Sequence, residues 1–165
     1  MSAPGDYQMV YEGYRQRIWV SALVFDLIDS HRQVHTLQSE AFGVLIGTTS
    51  VDKKERWVDV ATAPMTGDSR SRHSFSLRDP GHQTVVDKAF KRSGGSRIYL
   101  GTWHTHPEPK PEPSRVDKVD WHRCMERNKR RPLLFIIAGT RETSAFVPWG
   151  RFFRRLKSCE IRDDH

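Results

Sequence analysis

A chain of 165 residues with 36% hydrophobic content suits one domain built around one substantial core. Its mean hydropathy of −0.67, with no apolar run longer than Leu133 to Ala138, excludes a helical membrane protein. The net charge of +7 admits an acidic protein patch or nucleic acid as partner, but no zinc-finger, RNP or phosphate-loop pattern accompanies the arginines.

The N-terminal Met-Ser-Ala-Pro-Gly-Asp-Tyr-Gln lacks the basic-then-apolar signal pattern, and Cys124 and Cys159 form no Cys-x-x-Cys pair. Both observations point to a cytoplasmic protein without disulfides. Residues 1–15 are polar and read as a loosely ordered lead-in, 16–160 as the domain and 161–165 as a tail. Ile18 to Val20 predicts a short strand. Ser21 then predicts an N-cap for a helix to about Arg32, with Leu23, Val24, Leu27, Ile28 and His31 on one face. Gly43 to Thr48 is a nearly continuous apolar strand, hence central, with Glu40 just before it. Arg56 to Ala63 alternates and forms the next strand, with Asp52-Lys53-Lys54 turning between the two.

Pro64 to Arg72 is rich in turn residues and leads to a short strand from Ser74 to Leu77. Asp79-Pro80 predicts an N-cap and first helical residue. That helix runs to about Arg92, burying Val85, Val86, Ala89 and Phe90, and Gly94-Gly95 ends it. A strand follows, in which Ile98, Leu100 and Thr102 alternate with Tyr99, Gly101 and Trp103. After a Pro-rich loop, Ser114 predicts an N-cap for a helix over 115–128, with Val116, Val119, Cys124 and Met125 inward. Pro132 stops continuation, Leu133 to Ala138 and Ser144 to Trp149 are strands, and Gly150 is a bend. Segment 151–157 suits either an edge strand or a basic amphipathic helix. The order α-β-β-β-α-β-α-β-β predicts an α/β fold with mixed strand directions.

The chemistry concentrates in residues 101 to 120. His104 and His106 are two apart, so both imidazoles leave the same face of an extended chain. Pro107, Pro109, Pro111 and Pro113 forbid helix or central strand, and Asp117 lies in the first turn of the helix that follows. A His-x-His pair alone is commonly two polar residues on a solvated face, and a first-turn Asp commonly serves the helix dipole. Two histidines at a strand end facing a carboxylate at a helix start, however, make three metal ligands with one position open. That arrangement suits a catalytic zinc rather than a closed structural site.

His-Thr-His, seven residues, Ser, two residues, Asp resembles the signature of the JAMM (MPN-plus) zinc metalloprotease family. That family pairs it with Glu-x-x-Gly-x-Leu-x-Gly, present here from Glu40 to Gly47. The resemblance implies a curved mixed sheet flanked by helices, related to cytidine deaminases. It implies one zinc per chain on His104, His106 and Asp117, and Glu40 as the general base. Ser114 would hydrogen-bond the oxyanion of a peptide or isopeptide undergoing hydrolysis. Segment 65–76, with Arg70, Arg72, Ser74 and Ser76, would bind the extended tail of the substrate, as the corresponding family loop does.

Ser71-Arg72, Asp79-Pro80-Gly81-His82-Gln83, Arg92-Ser93-Gly94-Gly95 and Tyr99 to Pro107 resemble the short stand-alone bacterial branch of this family. Its members occur in integrative and conjugative elements and in antiphage operons with ubiquitin-activating-like and ubiquitin-conjugating-like proteins. The implied partner is a ubiquitin-like modifier, or a protein conjugated through its C-terminus. Three other readings stand beside this one: a zinc deaminase, which would need a Pro-Cys-x-x-Cys absent here; a non-catalytic interaction scaffold; and a basic nucleic-acid binder.

Overall fold

A computed structural model describes residues 7–35, 38–70, 75–76 and 79–161, with Arg70, Phe75 and Ser76 described by backbone only. In these residues the strands are β1 Tyr7–Gly13, β2 Gln16–Ser21, β3 Phe42–Thr49, β4 Glu55–Ala61, β5 Ser69–Arg70, β6 Phe75–Ser76, β7 Ile98–Thr105, β8 Leu134–Ala138, β9 Thr143–Trp149, β10 Phe152–Arg155 and β11 Lys157–Glu160. Three helices, α1 Ala22–Asp29, α2 Gly81–Arg92 and α3 Arg115–Arg127, interrupt them. A nine-stranded sheet runs β10-β9-β8-β7-β3-β4-β2-β1-β11, and β5-β6 is a separate small hairpin. The β2/β4 and β7/β8 pairs are parallel.

This large sheet curls until its edges meet. β10 pairs with β9 at one edge and β11 with β1 at the other, yet only Leu156 separates them. Leu156 N–H donates to Ala145 O at 2.9 Å, and Tyr11 Oη donates across the gap to Thr143 O at 3.1 Å. Segment 152–160 thus bridges the two edges of the sheet, capping β9 with one half and β1 with the other.

The core has two parts because buried strands alternate their side chains. Leu134, Ile136 and Ala138 of β8, with Ala145 and Val147 of β9, pack under α1 around Val24 and Ile28. Leu133, Phe135 and Ile137, with Phe146, pack under α3 around Trp121 and Cys124. Trp121 stacks on Phe135 with centroids 4.5 Å apart. Strand β8 is therefore buried on both faces, as its apolar run requires.

Several elements depart from expectation. Residues 7–13, read as lead-in, form β1, because Met9, Val10 and Tyr11 are buried and pair with both β2 and β11. α1 keeps its Ser21 cap, whose Oγ accepts from Val24 N, but ends at Asp29. Arg32 leaves the helix to bond Gly139 O and Thr143 Oγ1 at 2.7 Å each. α2 buries His82, leaves Val85, Val86 and Ala89 half-buried, and exposes Phe90. Val86 and Phe90 instead wall a cleft of about 490 Å³ beneath α2, with Tyr99 and Cys124 opposite. Segment 151–157, left open by the sequence, resolves as strand.

Candidate metal centre

Strand β7 delivers the two histidines by way of a bulge. The pairing of β3 with β7 shifts register between Leu45 and Ile46, opposite Gly101. Gly101 has φ +138°, and a Cβ there would lie 1.8 Å from Leu134 O, so only glycine fits. The bulge lets Leu100 and Trp103 both face the α1 core while His104 and His106 turn toward α3. Thr105 fixes the neighbouring chain: its N–H donates to Ala41 O, its Oγ1 accepts from Ala41 N, and its hydroxyl donates to Gln33 Oε1, each at 2.9 Å. Continuing that register puts Glu40 across from His106. Close approach here depends on Gly43, where a Cβ would meet Thr62 O at 1.8 Å.

The Pro-rich loop supplies carbonyls and lacks donors, and its neighbours accept that bargain. Thr140 N donates to Glu108 O at 2.8 Å, Glu142 N to Pro109 O at 3.0 Å, and Arg155 Nη2 to Pro111 O at 2.7 Å. The loop is thus pinned to the β8–β9 turn and to β10. It ends at Ser114, which caps α3 with a full capping box: Asp117 N donates to Ser114 Oγ at 3.1 Å, and Ser114 N to Asp117 Oδ2 at 2.7 Å. The box orients the Asp117 carboxylate toward the histidines.

His104, His106 and Asp117 are all buried and offer ligand atoms within 4.8 Å of one another. His104 Nε2 lies 3.0 Å from His106 Nε2 and 3.2 Å from Asp117 Oδ1; His106 Nε2 lies 3.0 Å from Asp117 Oδ2. Ligands about 2.0–2.2 Å from a tetrahedral zinc stand about 3.3 Å apart, so the two Nε2 atoms, and each of them with one oxygen of the Asp117 carboxylate, are spaced close to the edges of such a polyhedron. Two imidazoles and a carboxylate are also a donor set zinc favours. The residues fit the ion.

Electrostatics follow from burial and crowding. Burial pushes Glu40 up to about 7, with Asp117 adding to the rise and His106 opposing it. For His106, burial works downward, but hydrogen bonds to Asp117 and Glu108 and the charges of Asp117 and Glu40 carry it up to about 9. Burial lowers His104, which stays neutral. Asp117, despite burial, is held well below the usual carboxylate range by hydrogen bonds to both histidines.

Glu40, His104, His106, Ser114 and Asp117 therefore converge, with Glu40 outside the three-donor cluster but in its field. The proposed tail-binding residues differ in standing. Arg72 and Ser74 lie outside the described residues, and Arg70 and Ser76 are described only as backbone in the β5–β6 hairpin. Trp103, beside His104 in β7, is core: its Nε1 donates to Thr62 O at 2.9 Å. His31 is half-buried against Trp103, 5.7 Å between centroids, as a core-edge histidine.

Sequence reading missed two residues. Glu108 Oε1 lies 3.1 Å from His106 Nδ1 and accepts from Glu112 N at 2.9 Å, so it orients the ring and leaves Nε2 toward the cluster. Its signal was a carboxylate two residues beyond a ligand. His82 Nε2 lies 2.6 Å from Asp68 Oδ2 and Nδ1 2.6 Å from Thr62 Oγ1, so the ring bridges α2 to the loop before β5.

A curved mixed sheet carrying a buried His-His-Asp triad and a neighbouring glutamate defines a metallohydrolase of the JAB/MPN class. Consistent with this, the family profile described as prokaryotic homologs of the JAB domain matches residues 26–155. The chain belongs to that family and is a hydrolase. It is 38% identical over 115 residues to a CD-NTase/cGAS isopeptidase of Vibrio cholerae, covering 68% of this chain and 70% of the relative. A CD-NTase/cGAS isopeptidase of Pseudomonas aeruginosa is 33% identical over 126 residues, covering 76% and 78%. Among solved structures, protein DSY2949 of Desulfitobacterium hafniense aligns with a TM-score of 0.56 and 25% identity over 82% of this chain and 87% of that one.

Proposed function

We propose that this chain is a zinc-dependent isopeptidase that releases a protein conjugated through its C-terminal tail. The observation that carries the reading is the buried triad of His104, His106 and Asp117 with a glutamate of raised pKa beside it. His104, His106 and Asp117 would hold the zinc. When bound, the ion supplies Lewis acidity and makes water acidic near neutral pH. Glu40 takes the attacking water's proton, and its elevated pKa suits it to hold that proton and return it to the departing amine. The Ser114 hydroxyl, whose lone pair accepts from Asp117 N, has its own proton to donate to the developing oxyanion. Glu108 keeps His106 in one tautomer.

The relatives' names extend the reading to substrate class. A CD-NTase conjugated through its C-terminus, or a ubiquitin-like modifier, would lay its tail between segment 65–76 and the Pro-rich loop. Backbone of the β5–β6 edge and the side chains of Arg70, Arg72, Ser74 and Ser76 would hold it. The enzyme would work in the cytoplasm, beside activating-like and conjugating-like proteins, in antiphage defence. Zinc-loaded protein should cleave a reporter joined to such a tail, lose the activity to a strong chelator, and regain it with zinc. Glu40→Ala should keep fold and metal while losing about 10²–10⁴-fold in kcat. A variant retaining more than a tenth of the rate would remove Glu40 as base. Arg70→Glu with Arg72→Glu should raise KM while sparing kcat, and an unchanged KM would remove segment 65–76 as the tail site.

A further inference from the structure

At the end of the sheet remote from the histidines lies a polar cavity of about 220 Å³. His104 pairs with Ile137 and Gly101 with Leu134, so the start of β8 is three residues from the metal end, about 10 Å along the strands. Arg56, Lys53, Lys129 and Arg131 line this cavity, together with Gln16, Asn128 and apolar residues, and among the described residues no carboxylate does.

Arg56 is the informative member, being 1% exposed. Its Nη1 donates to Pro132 O at 2.7 Å and Leu133 O at 3.4 Å, its Nη2 to Gln16 Oε1, and its buried Nε has no partner. All three acceptors are neutral. Burial depresses its pKa to about 10, which still leaves the guanidinium charged at neutral pH. Lys53, held at φ +61°, reaches Arg130 O at 2.9 Å, again a neutral acceptor. The carbonyl end of α3 nearby is worth only about half a negative charge. A desolvated cation without a counter-ion is costly, and an apolar side chain of similar volume would serve packing better.

We infer that this cavity is a binding site for a phosphate-type oxyanion. The missing negative charge is what such a ligand supplies; with its Nη groups committed to Pro132, Leu133 and Gln16, Arg56 contributes charge, and the exposed guanidinium of Arg131 offers the fork that matches the oxygens. The volume is below the ~300–1,000 Å³ of pockets that enclose whole drug-sized ligands, which suits one or two phosphoryl groups with any remainder outside. Arg56 gives the cavity a fixed positive floor. Lys129 and Arg131, both exposed, close over the anion from the loop between α3 and β8.

The test is calorimetric titration of zinc-loaded protein at low salt, first with inorganic phosphate and then with adenosine 5′-monophosphate. Saturable binding at one site per chain is expected. Lys129→Glu with Arg131→Glu should weaken it at least about ten-fold, since two attractive charges become repulsive. These exposed positions leave the fold intact by circular dichroism and leave isopeptidase turnover unchanged. His106→Ala, which breaks the metal cluster, should retain the binding. Tighter binding of the nucleotide than of phosphate identifies a nucleotide site; equal binding identifies a free phosphate-type ion. No saturable binding of either probe overturns the proposal. So does binding lost in His106→Ala but kept in the charge-reversed variant, which would put the anion at the metal.

Discussion

At the scale of single residues, the candidate metal centre holds a proton with which a metal would compete. In the metal-free protein His106, carried from an ordinary 6.5 to about 9, is protonated at pH 7 and paired with Asp117. Coordination needs its Nε2 lone pair, so zinc must displace that proton. The sign follows: between pH 7 and about 9, zinc affinity rises with pH, and the dependence flattens above the pKa of His106. Calorimetry in buffers of different ionisation enthalpy should count about one proton or more released per zinc at pH 7, with a further share from Glu40 as the ion's charge lowers its pKa. A count near zero would show that His106 is neutral before zinc arrives. His104 and His106 were legible in the sequence because their spacing puts both on one face of a strand, and Asp117 because it opens the helix that follows; Glu40 was expected only from the resemblance to the family motif. Glu108 was not, because its role depends on how the Pro-rich loop folds back.

Among elements, the least legible feature was which face of each helix points inward. In α3, Val116 and Val119 were expected inside, yet they are 60% and 44% exposed. Asp117 must face the histidines, which fixes the helix phase and brings Trp121 and Cys124 inward at i+4 and i+7. The inner stripe begins with a charge, so apolar periodicity misphased it. In α2 the buried contact is again polar. His82, bridging Thr62 and Asp68, secures the start of α2 to the loop from which β5 emerges, and Asp79 adds bonds to Gly67 N and Gly81 N at 2.7 and 2.8 Å. Replacing His82 by Ala takes one buried partner each from Thr62 Oγ1, which still accepts from Val44 N, and from Asp68, which still accepts from Met65 N and Asp79 N. The expected cost is about 1–3 kcal/mol in chemical denaturation. Zinc content should be unchanged, since His82 lies outside the metal cluster, and a variant as stable as wild type would show the bridge to be dispensable.

For the whole molecule, closure of the sheet is what lets 165 residues support a buried polar site. Neither β1 nor β11 stood out in the sequence. Lys157 to Glu160 is exposed throughout, and its strand exists only because β1 lies beside it. Pairing between residues about 150 apart leaves no local periodic signal. Leu156 is the hinge of this closure: it is buried against the α1 core, and its backbone bonds Ala145 while the flanking strands go to opposite edges. Arg155, one residue before it, ties the same segment to Pro111 and Glu112 of the Pro-rich loop. Closure and the site's rigidity are therefore mechanically joined. Leu156→Ala should lower unfolding free energy by about 2–5 kcal/mol, the range for a buried leucine that leaves a cavity. Because β10 and the loop it braces would loosen together, amide exchange in 107–113 should quicken along with that of 152–160. Destabilisation with exchange in the Pro-rich loop unaltered would separate the two, leaving the β8–β9 turn as the loop's sufficient anchor.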